Sequence, residues 1–109
     1  MTSLELADNQ LNQHASEASR FLKALANESR LLILCMLNNE ELSVSQLNQR
    51  VPLSQSALSQ HLAVLRNDGL VATRRESQTI YYSLANGLAA DIIALLHKTY
   101  CQTDNSSTD

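Results

Sequence analysis

Apolar residues at Leu11, Ala15, Ala18, Leu22 and Leu25, with polar residues between them, predict a helix over residues 9–25. Residues 1–8 carry no such stripe and read as a frayed start. Asn27 is placed to cap a second helix, with Glu28 set favourably against its dipole. That helix, ESRLLILCMLNN, is apolar almost throughout, which marks it as the most buried element, and Asn38 to Glu41 is its exit. Ser43-Val44-Ser45-Gln46 has the spacing of a capping box, so a short third helix follows to about Arg50. Pro52 lacks an amide donor and biases Val51 away from helix, which turns the chain. Ser54 then caps a fourth helix, and Gly69 supplies the left-handed conformation common just past a helix end.

Beyond the glycine the period changes. Leu70–Glu76 and Thr79–Leu84 alternate as strands, with Ile80, Tyr82 and Leu84 on one face. The tip, Glu76-Ser77-Gln78, lacks an Asn-Gly or Asp-Gly pair, so no turn type follows from it. Asn86 is placed to cap a last helix with a stripe of Leu88, Ile92, Leu95 and Leu96 or Thr99. The tail 102–109 is polar and without aromatics, and reads as disordered. No repeat or linker divides residues 9–101, which form one domain. Four helices, a two-stranded hairpin and a fifth helix make a mainly α fold, a winged helix-turn-helix.

Composition narrows the class. Hydrophobic residues are 44% of the 109 and charged residues 17%, as in a globular protein. A chain this size buries roughly 60–70% of its unfolded surface, a modest core that dimerisation would complete. No run approaches the ~18 apolar residues of a membrane span. The first twenty residues lack a basic start followed by an apolar core, so a soluble cytoplasmic protein is expected. The net charge of −3 runs against nucleic-acid binding, but its distribution does not. Residues 42–82 hold four arginines (50, 66, 74 and 75) against two acids, a net of +2. The rest holds four cations against nine acids, a net of −5. The positive part coincides with the helix-turn-helix and hairpin.

The second helix of such a module enters the DNA major groove. On a wheel of about 100° per residue, Leu58, Leu62 and Leu65 share the inward stripe. The opposite face carries Ser56, Ser59, Gln60, Ala63 and Asn67, with Gln55 at the helix start. Ser and Gln hydrogen-bond base edges, Gln with a preference for adenine, and an alanine methyl can approach that of thymine. Gln55, Ser56, Ser59 and Gln60 are therefore the candidate readers of double-stranded DNA. His61 flanks the buried stripe and reads as a packed or phosphate-facing side chain. Arg74 and Arg75 point to opposite sides of the first hairpin strand, so at most one faces a groove directly; both can reach phosphates, or one can enter the minor groove. Polar helix faces are also ordinary solvated surface, and a winged helix can bind protein alone. The joint occurrence of helix pair, glycine stop and basic hairpin favours DNA.

The run ELSVSQLNQRVPLSQSALSQHLAVLRNDGLVATRRESQTIYYSL, preceded by LKALANESRLLILCML, resembles the ArsR/SmtB family of winged-helix regulators. The resemblance covers about Phe21 to Leu84. It implies a homodimer, joined through the first and last helices, that binds an imperfect palindrome and is released by an inducer. Many members bind metal through a pair of cysteines in a segment like ELCVCDL. Here the segment is ELSVSQL, with Ser43 and Ser45 in those places, and hydroxyls are poor ligands for soft metals. Other members carry a D-x-H pattern on the last helix, where this chain has Asp91-Ile92-Ile93. His14, His61 and His97 have no zinc-site spacing, so neither metal nor other cofactor is expected.

Two cysteines remain, Cys35 on the second helix and Cys101 at the end of the last. A buried cysteine is often only a small hydrophobe, and LLILCML is a core-like run. The sequence is also similar to the two-cysteine, persulfide-responsive branch of the family, the HlyU-type regulators. That likeness implies Cys35 and Cys101 as a sensing pair, with a persulfide, polysulfide or oxidant as inducer. It further implies a role in countering a silencer at virulence genes. A direct disulfide needs Cα atoms within about 7 Å, and each inserted sulfur adds about 2 Å. The alternatives are a metal-responsive or ligand-independent regulator with inert thiols, and a thiol-redox enzyme. The enzyme reading lacks a Cys-x-x-Cys motif.

Overall fold

The computed structural model describes residues 3–100, with side chains from Asn9 onward. Three helix starts are fixed by the side chain just ahead of each. Asn27 is extended, and its Oδ1 accepts from the Arg30 amide at 3.0 Å, opening α2 (Glu28–Met36). Ser43 and Gln46 form the capping box of α3 (Val44–Arg50). The Ser43 hydroxyl accepts from the Gln46 amide at 3.2 Å, and Gln46 Oε1 accepts from the Ser43 amide at 2.9 Å. Ser54 Oγ accepts from the Ala57 amide at 3.1 Å and starts α4 (Gln55–Asn67). The other end of α4 closes in a Schellman motif around Gly69, whose φ is +76°. There the Leu70 amide donates to the Leu65 carbonyl at 2.8 Å and the Gly69 amide to that of Arg66 at 3.1 Å. Leu65 and Leu70 are both fully buried, the apolar contact that accompanies this cap.

Around these helices lie α1 (Ser3–Leu25), β1 (Leu42–Ser43), β2 (Val71–Glu76), β3 (Thr79–Leu84) and α5 (Leu88–Tyr100). The sheet is antiparallel with strand order β1-β3-β2. The strand β1 is an addition to the expected four helices, hairpin and fifth helix. It is two residues long, pairs Leu42 with Tyr82 and Ser43 with Tyr81, and leaves no periodic trace in the sequence. Glu76 pairs with Thr79, so the hairpin turn is the two residues Ser77 and Gln78, with Ser77 at φ +57°.

The core is built from Ile33, Leu34 and Leu37 of the α2 region, Leu47, the α4 stripe Leu58, Leu62 and Leu65, Leu70 and Ile93. Burial on α4 is the predicted one. On α5 it differs: Ala89 and Ile93 face the core, Ile92 and Leu96 are half-buried, and Leu88 and Leu95 point outward. A helix apolar on most of its circumference gives its period little power to choose the inner face. Nor does Asn86 cap it, because the Gly87 carbonyl accepts the first helical bond, from the Asp91 amide at 3.0 Å.

Helix α1 begins at Ser3, inside the segment the sequence reads as a frayed start. Among its residues with described side chains, the C-terminal end is the part that packs on the core. Ala24 and Leu25 are buried, and Arg30 Nε donates to the Ala24 carbonyl at 2.7 Å. Residues 9–20 are exposed along their whole length. Among the described residues no helix is long and apolar enough to cross a membrane.

Candidate nucleic-acid interface

Helices α3 and α4, joined through Pro52, form a helix-turn-helix that packs through Leu47, Leu58, Leu62 and Leu65. With that stripe buried, geometry fixes what α4 presents outward. Gln55, Ser56, Ser59, Gln60, Ala63 and Asn67 are all exposed, as the wheel predicts. His61 is half-buried on the flank. Arg66 is exposed, two turns beyond Ser59 and on the same flank, and makes no ion pair among the described residues. The sequence offers its i+7 spacing from Ser59 as a signal, but its place in the closing turn equally suits the helix dipole.

The hairpin separates its two arginines. Arg74 pairs with Tyr81, which pairs with Ser43, so these three share one face of the sheet with Glu41 and Glu76 two residues away. Arg75 lies on the other face, in line with buried Val71 and opposite Ile80. The Arg74 guanidinium crosses the Tyr81 ring at 4.7 Å from its centroid. It meets Glu41 with a two-pronged contact, Nε to Oε2 at 3.0 Å and Nη2 to Oε1 at 2.7 Å, and Glu76 Oε2 through Nη1 at 3.1 Å. Hydrogen bonding to Arg74 holds the Glu41 carboxyl below its ordinary range. The same bonds, from Glu41 and then Glu76, push the Arg74 guanidinium further up. Arg75 donates from Nε to the Ser77 carbonyl at 3.2 Å and makes no ion pair among the described residues. No signal in the sequence joins Glu41 to Arg74, since their approach depends on the unpredicted β1.

The other candidate residues fall as follows. Cys35 sits in the last turn of α2, half-buried against the core. Cys101 lies outside the described residues. Ser43, where metal-binding relatives are expected to carry a thiolate, is occupied as the α3 cap. Among the described residues no three His, Cys, Asp or Glu side chains gather to hold a metal.

A buried helix pair, an exposed polar second helix and an arginine-bearing hairpin define a winged helix-turn-helix DNA-binding regulator. Residues 27–73 match the model of the family described as bacterial regulatory protein, arsR family. The transcriptional activator HlyU of Vibrio cholerae is 54% identical over 95 residues, covering 87% of this chain and 88% of that one. The biofilm growth-associated repressor of Agrobacterium fabrum is 38% identical over 96 residues, covering 88% and 82%. Reduced HlyU from Vibrio cholerae superposes with a TM-score of 0.80 at 55% identity, over 85% of this chain and 98% of that one. Mb0332 from Mycobacterium bovis, a homodimeric winged helix-turn-helix DNA-binding domain, superposes with a TM-score of 0.75 at 30% identity, over 86% and 87%. The chain belongs to the ArsR family: it is a DNA-binding transcriptional regulator.

Proposed function

We propose that the chain acts as a homodimer on an imperfect palindrome, and that the thiols of Cys35 and Cys101 switch its binding. The observation that carries the dimer is the apolar surface left on its outer helices. Leu11 (67% exposed) and Leu22 (55%) lie with Ala15 and Ala18 on one face of α1, and Leu88 (58%) and Leu95 (63%) stand out from α5. A second copy covering both helices would bury these faces and place two α4 helices one DNA turn, roughly 34–36 Å, apart. Gln55, Ser56, Ser59 and Gln60 then read bases, and Arg66 and Arg75 contact phosphates.

The thiol switch draws support from the place of Cys35, in the last turn of a core helix that packs on α4 and α5, and from the likeness to HlyU, solved in a reduced form. The chemistry balances with a persulfide as oxidant. One cysteine thiolate attacks the outer sulfur of RSSH, takes it as Cys–S–SH, and releases RSH. The second thiolate attacks the inner sulfur, closes the disulfide and expels hydrogen sulfide. Retaining further sulfur atoms would give a longer bridge. Either link would restrain α2 relative to the end of the chain and alter the spacing of the two reading heads. The test is intact-mass and DNA-binding measurement on protein treated with polysulfide or peroxide, alongside Cys35→Ser and Cys101→Ser. Polysulfide should link the two sulfurs and weaken DNA binding in the wild type only; an undiminished response in either variant would refute the switch.

A further inference from the structure

The sequence sends both wing arginines to phosphates, and the geometry separates them. Arg74 reaches back from β2, over the Tyr81 ring of β3, to Glu41 at the mouth of β1. It therefore links β2, across β3, to the residue just ahead of β1. Glu41 lies two residues before Ser43, which caps α3, the first helix of the helix-turn-helix. Strand β1 itself holds β3 through only two residue pairs, so a side-chain link across it bears directly on the angle between wing and body. The cation is also already answered. Two carboxylates, Glu41 and Glu76, face one guanidinium, a local net of −1, and a phosphate approaching it would meet net negative charge. Arg75 projects from the opposite face, donates to one backbone carbonyl and makes no ion pair among the described residues.

We propose that Arg74 is a positioning residue, that its paired contact with Glu41 is a strap fixing the wing against the helix-turn-helix, and that Arg75 is the wing's phosphate contact. The last part rests on the reading of the wing as a DNA-facing element; the strap does not. Hydrogen bonding that holds the Glu41 carboxyl in its charged form is consistent with a strap that persists in solution.

The experiment uses the full chain and a mixed-sequence duplex of about 30 base pairs, long enough for two half-sites one turn apart. Binding is measured across a salt series, and amide exchange in β2 and β3 is followed in the unbound protein. Arg75→Ala is expected to lower the slope of log K against log salt by about 0.9 for each protomer bound. Arg74→Ala and Glu41→Gln should leave the slope unchanged, weaken binding about two- to five-fold at every salt concentration, the size of an exposed ion pair, and speed wing exchange. The charge-swapped pair, Glu41→Arg with Arg74→Glu, should restore slow exchange. Arg74→Ala lowering the slope as Arg75→Ala does would overturn the assignment. So would tighter, more salt-dependent binding by Glu41→Gln, which would make Glu41 a competitor of phosphate. Unchanged wing exchange in both variants would dispose of the strap. If neither arginine moves the slope, the DNA-facing reading of the wing fails, and the exchange rates still decide the strap.

Discussion

Ser77 holds a backbone conformation that its own Cβ disfavours. At φ +57° in the first central position of a two-residue hairpin turn, it stands where glycine is at home. A left-handed residue with a side chain costs roughly 1–2 kcal/mol, offset by the smaller unfolded-state freedom of serine. Ser77→Gly is therefore expected to stabilise the protein by about 0.5–1 kcal/mol, a rise of about 2–8 °C in Tm by calorimetry. Glu41 gives a second test, with a sign. Its carboxyl ordinarily titrates at 4.5 and is held lower in the folded chain by Arg74. The folded state thus gains its full share from the pair above pH 4.5, and loses it as pH falls through the lowered value. The difference in Tm between wild type and Glu41→Gln should be level above pH 4.5 and shrink below it. A difference that grows on acidification would contradict the pairing.

The helices and their ends divide sharply into what could be read in advance and what could not. Asn27, Ser43, Ser54 and Gly69 all do what their neighbours in sequence imply, because a cap is made within four or five residues. Gly69→Ala puts a value on one of them. A Cβ there would meet nothing within 4 Å, so the cost is conformational alone, about 1–2 kcal/mol, measurable by urea unfolding. The outward face of α4 was legible for the same reason: one clean buried stripe fixes the opposite side. Strand β1 was not, since two residues have no period and Leu42 becomes a strand residue only by meeting Tyr82, forty positions on. The partner of Arg74 was hidden with it. On α5 the missing information was which of several apolar faces the rest of the molecule leaves open, and that is decided by packing between elements.

The described residues spread further than a compact domain of their number requires. Their Cα radius of gyration is 16.9 Å, against about 13 Å for a compact domain of this size. The excess comes from elements that project, and one of them, α1, exposes an apolar stripe that a lone chain has no reason to keep in water. The net charge of −3 points the same way. A single reading head with few unpaired arginines holds DNA weakly, while two heads fixed on one particle bind the second half-site as an intramolecular event, worth about 10²–10⁴-fold in affinity. On the dimer proposed above, pairing becomes a condition of specific binding, and it can be removed without touching the proposed DNA face. Leu11→Glu with Leu22→Glu places two charges on the exposed stripe of α1, away from the core and from α4. Sedimentation should return the 12.0 kDa of one chain for this variant and twice that for the wild type. Its circular dichroism should stay that of the wild type, and its affinity for a palindromic duplex should fall by the factor lost with bivalency. A variant that remained dimeric would show that α1 is not the joining surface. One that became monomeric yet bound as tightly would show that a single head suffices, and the weak positive charge of residues 42–82 would need another explanation.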